Sequence, residues 1–143
     1  MGTKTNRLPT VLLAEDHEDT RKAIVAFLEK SYRGRYQVIG SVRDGIALVN
    51  EALRLAPDIA VVDISMPKLN GIDAASELKE RKCSTKIVIL TIQSEPAFLR
   101  AALNAGAMGY VLKSRMFSDL PRAVDAALRG ERFASTPLEN RTE

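Results

Sequence analysis

Five short apolar runs divide the chain at regular intervals, and a longer amphipathic stretch follows each of them. The runs occupy residues 11–14, 36–42, 59–62, 86–90 and 109–112. A continuous run such as Ile-Ala-Val-Val at 59–62 is typical of a strand that is buried on both faces of a parallel sheet. The pattern therefore predicts five buried strands, each leading into a helix.

The stretches between the runs have the spacing of helices that pack one face against a sheet. The first predicted helix extends from Asp19 to about residue 31. Asp44 is placed to cap the second helix, because its carboxylate can accept from the free N–H groups of a first turn. The predicted inner face of that second helix carries Ile46, Val49 and Leu53.

Two later helices have recognisable start signals. Ser94 is the predicted cap of the fourth helix. Pro121 is expected in the first turn of the fifth helix, where its missing N–H does little harm. That helix would then begin at about Phe117 and bury the Phe117 side chain.

This alternation of strands and helices favours one α/β domain, a five-stranded parallel sheet with helices on both faces. Right-handed crossovers leave few topologies, and we expect the strand order 2-1-3-4-5 of flavodoxin-like folds. A chain of 143 residues fits one such domain, and residues 1–8 are polar and predicted to be flexible.

Composition narrows the class of protein further. The net charge is only +3 and Trp is absent, so we interpret the surplus Lys and Arg as solvated surface rather than as a nucleic-acid interface. No apolar run approaches the ~20 residues that cross a bilayer, and no signal-peptide pattern opens the chain. The single cysteine, Cys83, excludes an internal disulfide and fits a reducing compartment, so we expect a cytoplasmic protein without membrane contact.

Polar residues stand at the ends of four predicted strands: Glu15 and Asp16, Asp63, Thr91, and Lys113. Because the strands of a parallel sheet end along one edge, about 4.8 Å apart, we expect these side chains to meet there. Three carboxylates repel one another unless a cation lies among them, and an all-oxygen ligand set suits Mg²⁺. A lysine and a threonine can bind phosphoryl oxygens. The set therefore predicts an aspartate that becomes phosphorylated, with Asp63 as the nucleophile.

These residues lie in motifs that resemble the receiver domain of two-component response regulators, in the CheY-like superfamily. The motifs are residues 13–17, 58–67 with Gly71, 90–91 and 109–113, and the resemblance spans about residues 9–131. It implies that a sensor histidine kinase donates a phosphoryl group to the carboxylate predicted above. It also implies that Mg²⁺ is held, by one of the acids only indirectly, among Glu15, Asp16, Asp63 and the backbone carbonyl of Ser65.

The same resemblance implies a conformational switch. Thr91 would move toward the phosphoryl group that Lys113 also binds, and Tyr110 would then turn inward. Ile92 stands where many receivers have Ala or Gly and is expected to crowd access to Asp63. Gln93 borders the phosphate position and is expected to modulate the hydrolytic water.

Closer detail resembles the NarL/LuxR-type transcriptional regulators, on residues 15–17, 105–114 and 129–133. This resemblance implies control of transcription through a C-terminal helix-turn-helix domain and association of two phosphorylated copies. Residues 132–143 would be the start of a linker or a C-terminal tail, with no DNA-binding domain in this chain. The receiver itself would then make no contact with nucleic acid.

Two other interpretations stay open: a stand-alone receiver, and a receiver-like adaptor that works without phosphorylation. A haloacid-dehalogenase-type phosphatase also uses an aspartyl nucleophile, but it needs a second Asp where Ser65 stands. A receiver catalyses its own phosphorylation and dephosphorylation, so it is an enzyme only in part.

Overall fold

The computed structural model describes residues 7–31 and 34–135, and these form one parallel sheet between two layers of helices. The sheet has the order β2-β1-β3-β4-β5-β6. Its first five strands confirm the order expected from the sequence. The strands are β1 Thr10–Ala14, β2 Gln37–Val42, β3 Ile59–Val62, β4 Lys86–Thr91, β5 Gly109–Leu112 and β6 Phe133–Ala134.

Helices connect successive strands, as the alternation of patterns predicts. They are α1 Glu18–Ala26, which continues as a π-helical turn Phe27–Ser31, then α2 Gly45–Leu55, α3 Gly71–Glu80, α4 Pro96–Asn104 and α5 Met116–Leu128, with a 3₁₀ turn Lys113–Arg115 before α5. No helix in the part of the chain so described has both the length and the apolar character that crossing a membrane requires.

The core has two parts, one on each face of the sheet. Leu12 of β1 belongs to the part covered by α2, α3 and α4, whereas its neighbour Leu13 belongs to the part covered by α1 and α5. Successive side chains of a strand point to opposite faces, so a strand such as β3 must be apolar throughout. All four residues of β3 are fully buried, which confirms this interpretation of the 59–62 run.

The predicted inner face of α2 was partly wrong, although its cap is confirmed. Asp44 accepts a hydrogen bond from the N–H of Ala47 at 2.8 Å. Ile46 and Leu53 are 47% and 40% exposed, because the helix turns Leu48, Val49 and Ala52 toward the sheet instead. Both stripes have helical spacing and share Val49, so periodicity alone could not choose between them. The buried residues of α2 are Gly45, Leu48, Val49 and Ala52.

The start signals of α4 and α5 were also misplaced. Glu95, not Ser94, occupies the cap position of α4, and its side chain makes no capping hydrogen bond. Pro121 lies inside α5 rather than in its first turn, because the 3₁₀ turn leads directly into a helix that begins at Met116. Phe117 is therefore 69% exposed rather than buried as predicted. Its ring packs edge-on against Phe27, with the ring centroids 5.0 Å apart.

A sixth strand extends the sheet beyond the five that the pattern predicts. Phe133 donates its backbone N–H to the carbonyl of Met108 at 3.0 Å, and Ser135 donates to the carbonyl of Tyr110 at 3.0 Å. A two-residue strand is too short to show alternation, so the sequence gives no signal for it. The chain is thus ordered past residue 131, the end of the resemblance. Residues 1–6 of the predicted flexible N-terminus and 136–143 of the predicted tail lie outside the described residues.

We predict that Gly45→Ala lowers the free energy of unfolding by about 1–3 kcal/mol, because the added Cβ would collide with the backbone carbonyl of Leu69. Gly40→Ala is the matched control, since a Cβ there would make only an ordinary contact with Leu12, at 3.4 Å. Urea denaturation measures both variants. Equal stability of the two would show that the approach of α2 to Leu69 is not a constraint.

Candidate functional site

Two acids are fixed at the carboxyl edge of the sheet because the backbone ladder continues past the ends of their strands. Asp63, directly after β3, donates its N–H to the carbonyl of Ala14, and Glu15, directly after β1, donates to Val42, each at 3.0 Å. Their side chains are 5% and 1% exposed. The loop after Asp63 returns closely, since Gly71 donates its N–H to the carbonyl of Ile64 at 2.9 Å.

Lys113 places its ammonium group between these two carboxylates. Its Nζ lies 2.9 Å from Oε1 of Glu15 and 3.2 Å from Oδ2 of Asp63. The other oxygen of Glu15, Oε2, accepts from the backbone N–H of His17 at 3.1 Å and lies 3.2 Å from the His17 Nδ1. Of the polar residues expected to meet at this edge, the structure therefore brings Glu15, Asp63 and Lys113 into contact.

The surroundings shift the pKa values of both Asp63 and Lys113. Burial and the nearby charge of Glu15 raise the pKa of Asp63 above its usual value, and this outweighs the opposing effect of Lys113. Burial lowers the pKa of Lys113, but its contacts with Glu15 and Asp63 outweigh burial and raise the pKa overall. The folded chain therefore disfavours the charged form of Asp63, whereas it favours the charged form of Lys113.

The donor set fits a hard divalent cation. Among the described residues, Glu15, His17 and Asp63 bring one potential ligand atom each to within 4.8 Å of one another. Asp16 is exposed and is not part of this group. Two buried carboxylates share one lysine, so an added cation would offset the remaining negative charge, and carboxylate oxygens are the ligands that Mg²⁺ prefers.

The acidic group opens to solvent through a cavity of about 280 Å³. Its lining residues are His17, Thr20, Asp63, Ser65, Ile92 and Lys113. Ser65 also donates its backbone N–H toward Oδ1 of Asp63, at 3.4 Å. The 75% exposed side chain of Ile92 lies at this cavity, as expected from its position after the fourth strand.

Thr91 and Tyr110 are joined through the backbone of Gln93. The hydroxyl of Thr91 accepts from the Gln93 N–H at 3.2 Å, and the hydroxyl of Tyr110 donates to the Gln93 carbonyl at 2.8 Å. Both side chains are fully buried, so the aromatic ring is turned inward here. Burial, and to a lesser extent Glu95, raises the pKa of Tyr110, which keeps the phenol protonated as a donor.

Sequence reasoning missed some features of this site. The contact of His17 with Glu15 was visible only as adjacency to two acids, and Thr20 gave no signal at all. The importance of Gln93 lies in its main-chain groups, which every non-proline residue carries, so its side-chain type could not reveal it.

The chain belongs to the response regulator receiver domain family, because the family model described as "Response regulator receiver domain" matches residues 11–125. The transcriptional regulatory protein LiaR of Bacillus subtilis (strain 168) is 34% identical over 121 residues, which cover 85% of this chain and 56% of LiaR. The chain spans about half the length of the curated relatives it matches.

Solved structures agree with this assignment. A two-component response regulator of the LuxR family from Aurantimonas sp. SI85-9A1 has a TM-score of 0.87 and 30% identity, over 96% of this chain and 100% of that one. The isolated receiver domain of RcsB from Salmonella enterica serovar Typhimurium, determined with the phosphomimetic BeF₃⁻, has a TM-score of 0.85 and 30% identity over 96% and 100%. The chain is a receiver domain of the NarL/LuxR type.

We predict that Asp63→Asn raises the melting temperature of the metal-free chain at neutral pH by a few degrees. The raised pKa of Asp63 means that the folded state binds the proton more tightly than the unfolded state does. Wild-type stability therefore falls as pH rises from the ordinary value of 3.8 through the folded pKa. A neutral amide avoids that loss.

Thermal denaturation at neutral pH and at a pH below 3.8 checks the sign, since the gain should vanish in acid. Asp73→Asn, at an exposed carboxylate outside the acidic group, is the control and should not raise the melting temperature, because it removes a favourable charge from the first turn of α3. A melting temperature of Asp63→Asn at or below that of wild type at neutral pH would contradict the electrostatic description.

Proposed function

We propose that Asp63 accepts a phosphoryl group from a sensor histidine kinase and that the chain thereby switches a downstream output. The observation that carries this proposal is the position of the Asp63 carboxylate, which lines an open cavity while Lys113 lies 3.2 Å away and Glu15 shares the same ammonium group. A buried carboxylate of raised pKa with access to solvent is placed to react rather than to stabilise the fold.

The proposed step is a displacement at phosphorus. An Asp63 carboxylate oxygen forms a P–O bond while the P–N bond to the kinase histidine breaks, and the imidazole nitrogen keeps that electron pair. The ammonium group of Lys113 then pairs with the phosphoryl oxygens, because a compact positive charge suits them. Thr91 supplies a hydroxyl donor for another of these oxygens. Water later hydrolyses the acyl phosphate, and Ile92 and Gln93 modulate its access.

We further propose that Mg²⁺ binds among Glu15, Asp16, Asp63 and the backbone carbonyl of Ser65. The two buried carboxylates support this, as does their excess over the one lysine. Asp16 is exposed, which makes it the candidate for the indirect ligand in this set. A bound Mg²⁺ would neutralise charge that accumulates between the carboxylates and the incoming phosphoryl group.

Asp63→Asn should abolish phosphate incorporation from acetyl phosphate in the presence of Mg²⁺, because an amide is not a competent nucleophile toward phosphorus. Asp73→Asn, with its exposed carboxylate outside the cavity, should incorporate phosphate like wild type. Intact-protein mass spectrometry resolves the added phosphoryl group directly. Incorporation by folded Asp63→Asn at the wild-type level would refute the assignment of the acceptor.

We infer that the complete regulator controls transcription through a helix-turn-helix output domain and works in the cytoplasm. The support is the NarL/LuxR class of the domain and relatives named as transcriptional regulators, of which this chain spans about half. A structure of RcsB shows two dimers of that protein bound to DNA. The alternatives are a stand-alone receiver and an adaptor that is never phosphorylated, and phosphate incorporation separates the adaptor from the other two.

Phosphorylation adds close to two negative charges and three acceptor oxygens at the carboxyl edge. Movement of Thr91 toward these oxygens would alter its link through Gln93 to Tyr110, and so the surface around β5. A partner responds only if it binds the altered surface more tightly than the resting one. We propose that a second copy of the chain is such a partner.

The chain should accordingly be mainly monomeric alone and associate more strongly with BeF₃⁻ and Mg²⁺. Sedimentation velocity over a concentration series measures this, and Asp63→Asn under the same conditions is the control. Equal association of wild type with and without BeF₃⁻ would mean that these residues do not signal through self-association.

A further inference from the structure

The chain does not leave the domain at the end of α5 but returns along the edge of the sheet. After Gly130, which has a positive φ of 79°, it runs parallel to β5 as β6, with Ala134 opposite Tyr110. Helix α5 runs away from the carboxyl edge of the sheet, where the acidic group lies, and β6 runs back toward that edge. Ser135 therefore lies near the end of β5 that leads into Lys113, and outside the residues 11–125 that the family model matches.

Ser135 is held to β5 through both its main chain and its side chain. Its N–H donates to the carbonyl of Tyr110 at 3.0 Å, and its hydroxyl oxygen accepts from the N–H of Leu112 at 3.1 Å. The residue is fully buried. Leu112 would otherwise present an unpaired N–H on this side of β5, so the hydroxyl replaces a ladder hydrogen bond at the last position of the strand.

The carboxylate of Asp119, on α5, lies beside this hydroxyl. The Asp119 carboxylate is fully buried and accepts from Nε of Arg115 at 2.9 Å and from the Ser118 hydroxyl at 3.0 Å, and the nearby Ser135 hydroxyl helps to lower its pKa. Because the Ser135 oxygen accepts from the Leu112 N–H, the hydroxyl proton must point away from Leu112, and the Asp119 carboxylate is the nearby acceptor for it. The chain Asp119–Ser135–Leu112 is therefore directional.

Leu112, the last residue of this chain of hydrogen bonds, is adjacent to the lysine that contacts Asp63. Leu112 is joined by one peptide bond to Lys113, whose ammonium group lies between Glu15 and Asp63. A lysine has four flexible side-chain carbons, so the direction in which its backbone leaves the strand decides where the ammonium group can reach. Releasing the Leu112 N–H would loosen that backbone at the point where β5 becomes the 3₁₀ turn.

We propose that Ser135, oriented by Asp119, is a positioning residue for Lys113 and so for phosphoryl transfer to Asp63. The proposal rests on the proposed function. It makes β6 part of the phosphorylation machinery rather than the start of a passive tail. Because coupling is reciprocal, occupancy at Asp63 should in turn strengthen the hydrogen bonds that hold Ser135 to β5.

The test compares Ser135→Ala with Thr85→Val in the whole chain. Thr85 is the matched control, since its buried hydroxyl also bonds the main chain, donating to the carbonyl of Pro57 at 2.7 Å, but at the opposite edge of the sheet. Each hydroxyl bonds one main-chain group and lies beside one further polar side chain, which is Asp119 for Ser135 and Cys83 for Thr85, so both variants should lose similar thermal stability. Only Ser135→Ala should also lose affinity for BeF₃⁻ with Mg²⁺, by at least about five-fold, the lower end of ordinary site-to-site coupling.

A second pair of variants separates the effect of orienting the Ser135 hydroxyl from a general loss of folding stability. Asp119→Asn keeps an oxygen that can accept the Ser135 hydroxyl proton, whereas Asp119→Ala does not. We expect Asp119→Ala to lose BeF₃⁻ affinity as Ser135→Ala does, and Asp119→Asn to retain most of it.

Hydrogen exchange of the wild type supplies a readout that needs no variant. BeF₃⁻ with Mg²⁺ should slow exchange of the Ser135 and Leu112 amides by at least about five-fold, by the same reciprocity. Unchanged exchange at both amides would overturn the proposal, even if Ser135→Ala failed to fold. So would wild-type BeF₃⁻ affinity in folded Ser135→Ala, or an equal loss in Thr85→Val. Absence of BeF₃⁻ binding by the wild type would instead refute the proposed function, and this inference with it.

Discussion

The burial of two carboxylates beside one ammonium group is the constraint on which this structure depends. Glu15 and Asp63 are almost entirely withdrawn from water, and Lys113 is within 3.2 Å of both. Buried charges are tolerated only where partners compensate for lost hydration. Strands β1, β3 and β5 must therefore end at one level. The compensation is incomplete, as the raised pKa of Asp63 indicates, and the remaining negative charge supports the proposed binding of a cation.

Strand β5, which lies between β4 and the edge strand β6, connects this charged site to the rest of the molecule. Tyr110 reaches the β4–α4 loop through the Gln93 carbonyl, while Leu112 reaches β6 through Ser135. Both contacts depend on main-chain groups at the end of a strand, where small shifts change hydrogen-bond partners without disturbing the core. A switch of the proposed kind would therefore alter the surface while the two apolar layers stay packed.

The sequence predicted the architecture well because the strands are buried on both faces. A run such as Ile59–Val62 can be apolar throughout only in such a sheet, and its alternation with amphipathic stretches leaves few topologies. Helix faces were predicted less well. The α2 stripe through Ile46 and Leu53 has the same period as the stripe that packs, and Pro121 was placed by a local rule that the preceding 3₁₀ turn overrode.

The sequence by itself determined the first five strands, their order and the polar residues that end them, since these follow from local burial patterns and from the geometry of parallel sheets. Tertiary structure alone decided that Glu15 faces inward beside His17 while Asp16 stays exposed, and that Ser135 closes the edge of β5. The physical reason is that these contacts join residues through particular side-chain directions and main-chain hydrogen bonds. Neither leaves a periodic trace in the order of the amino acids.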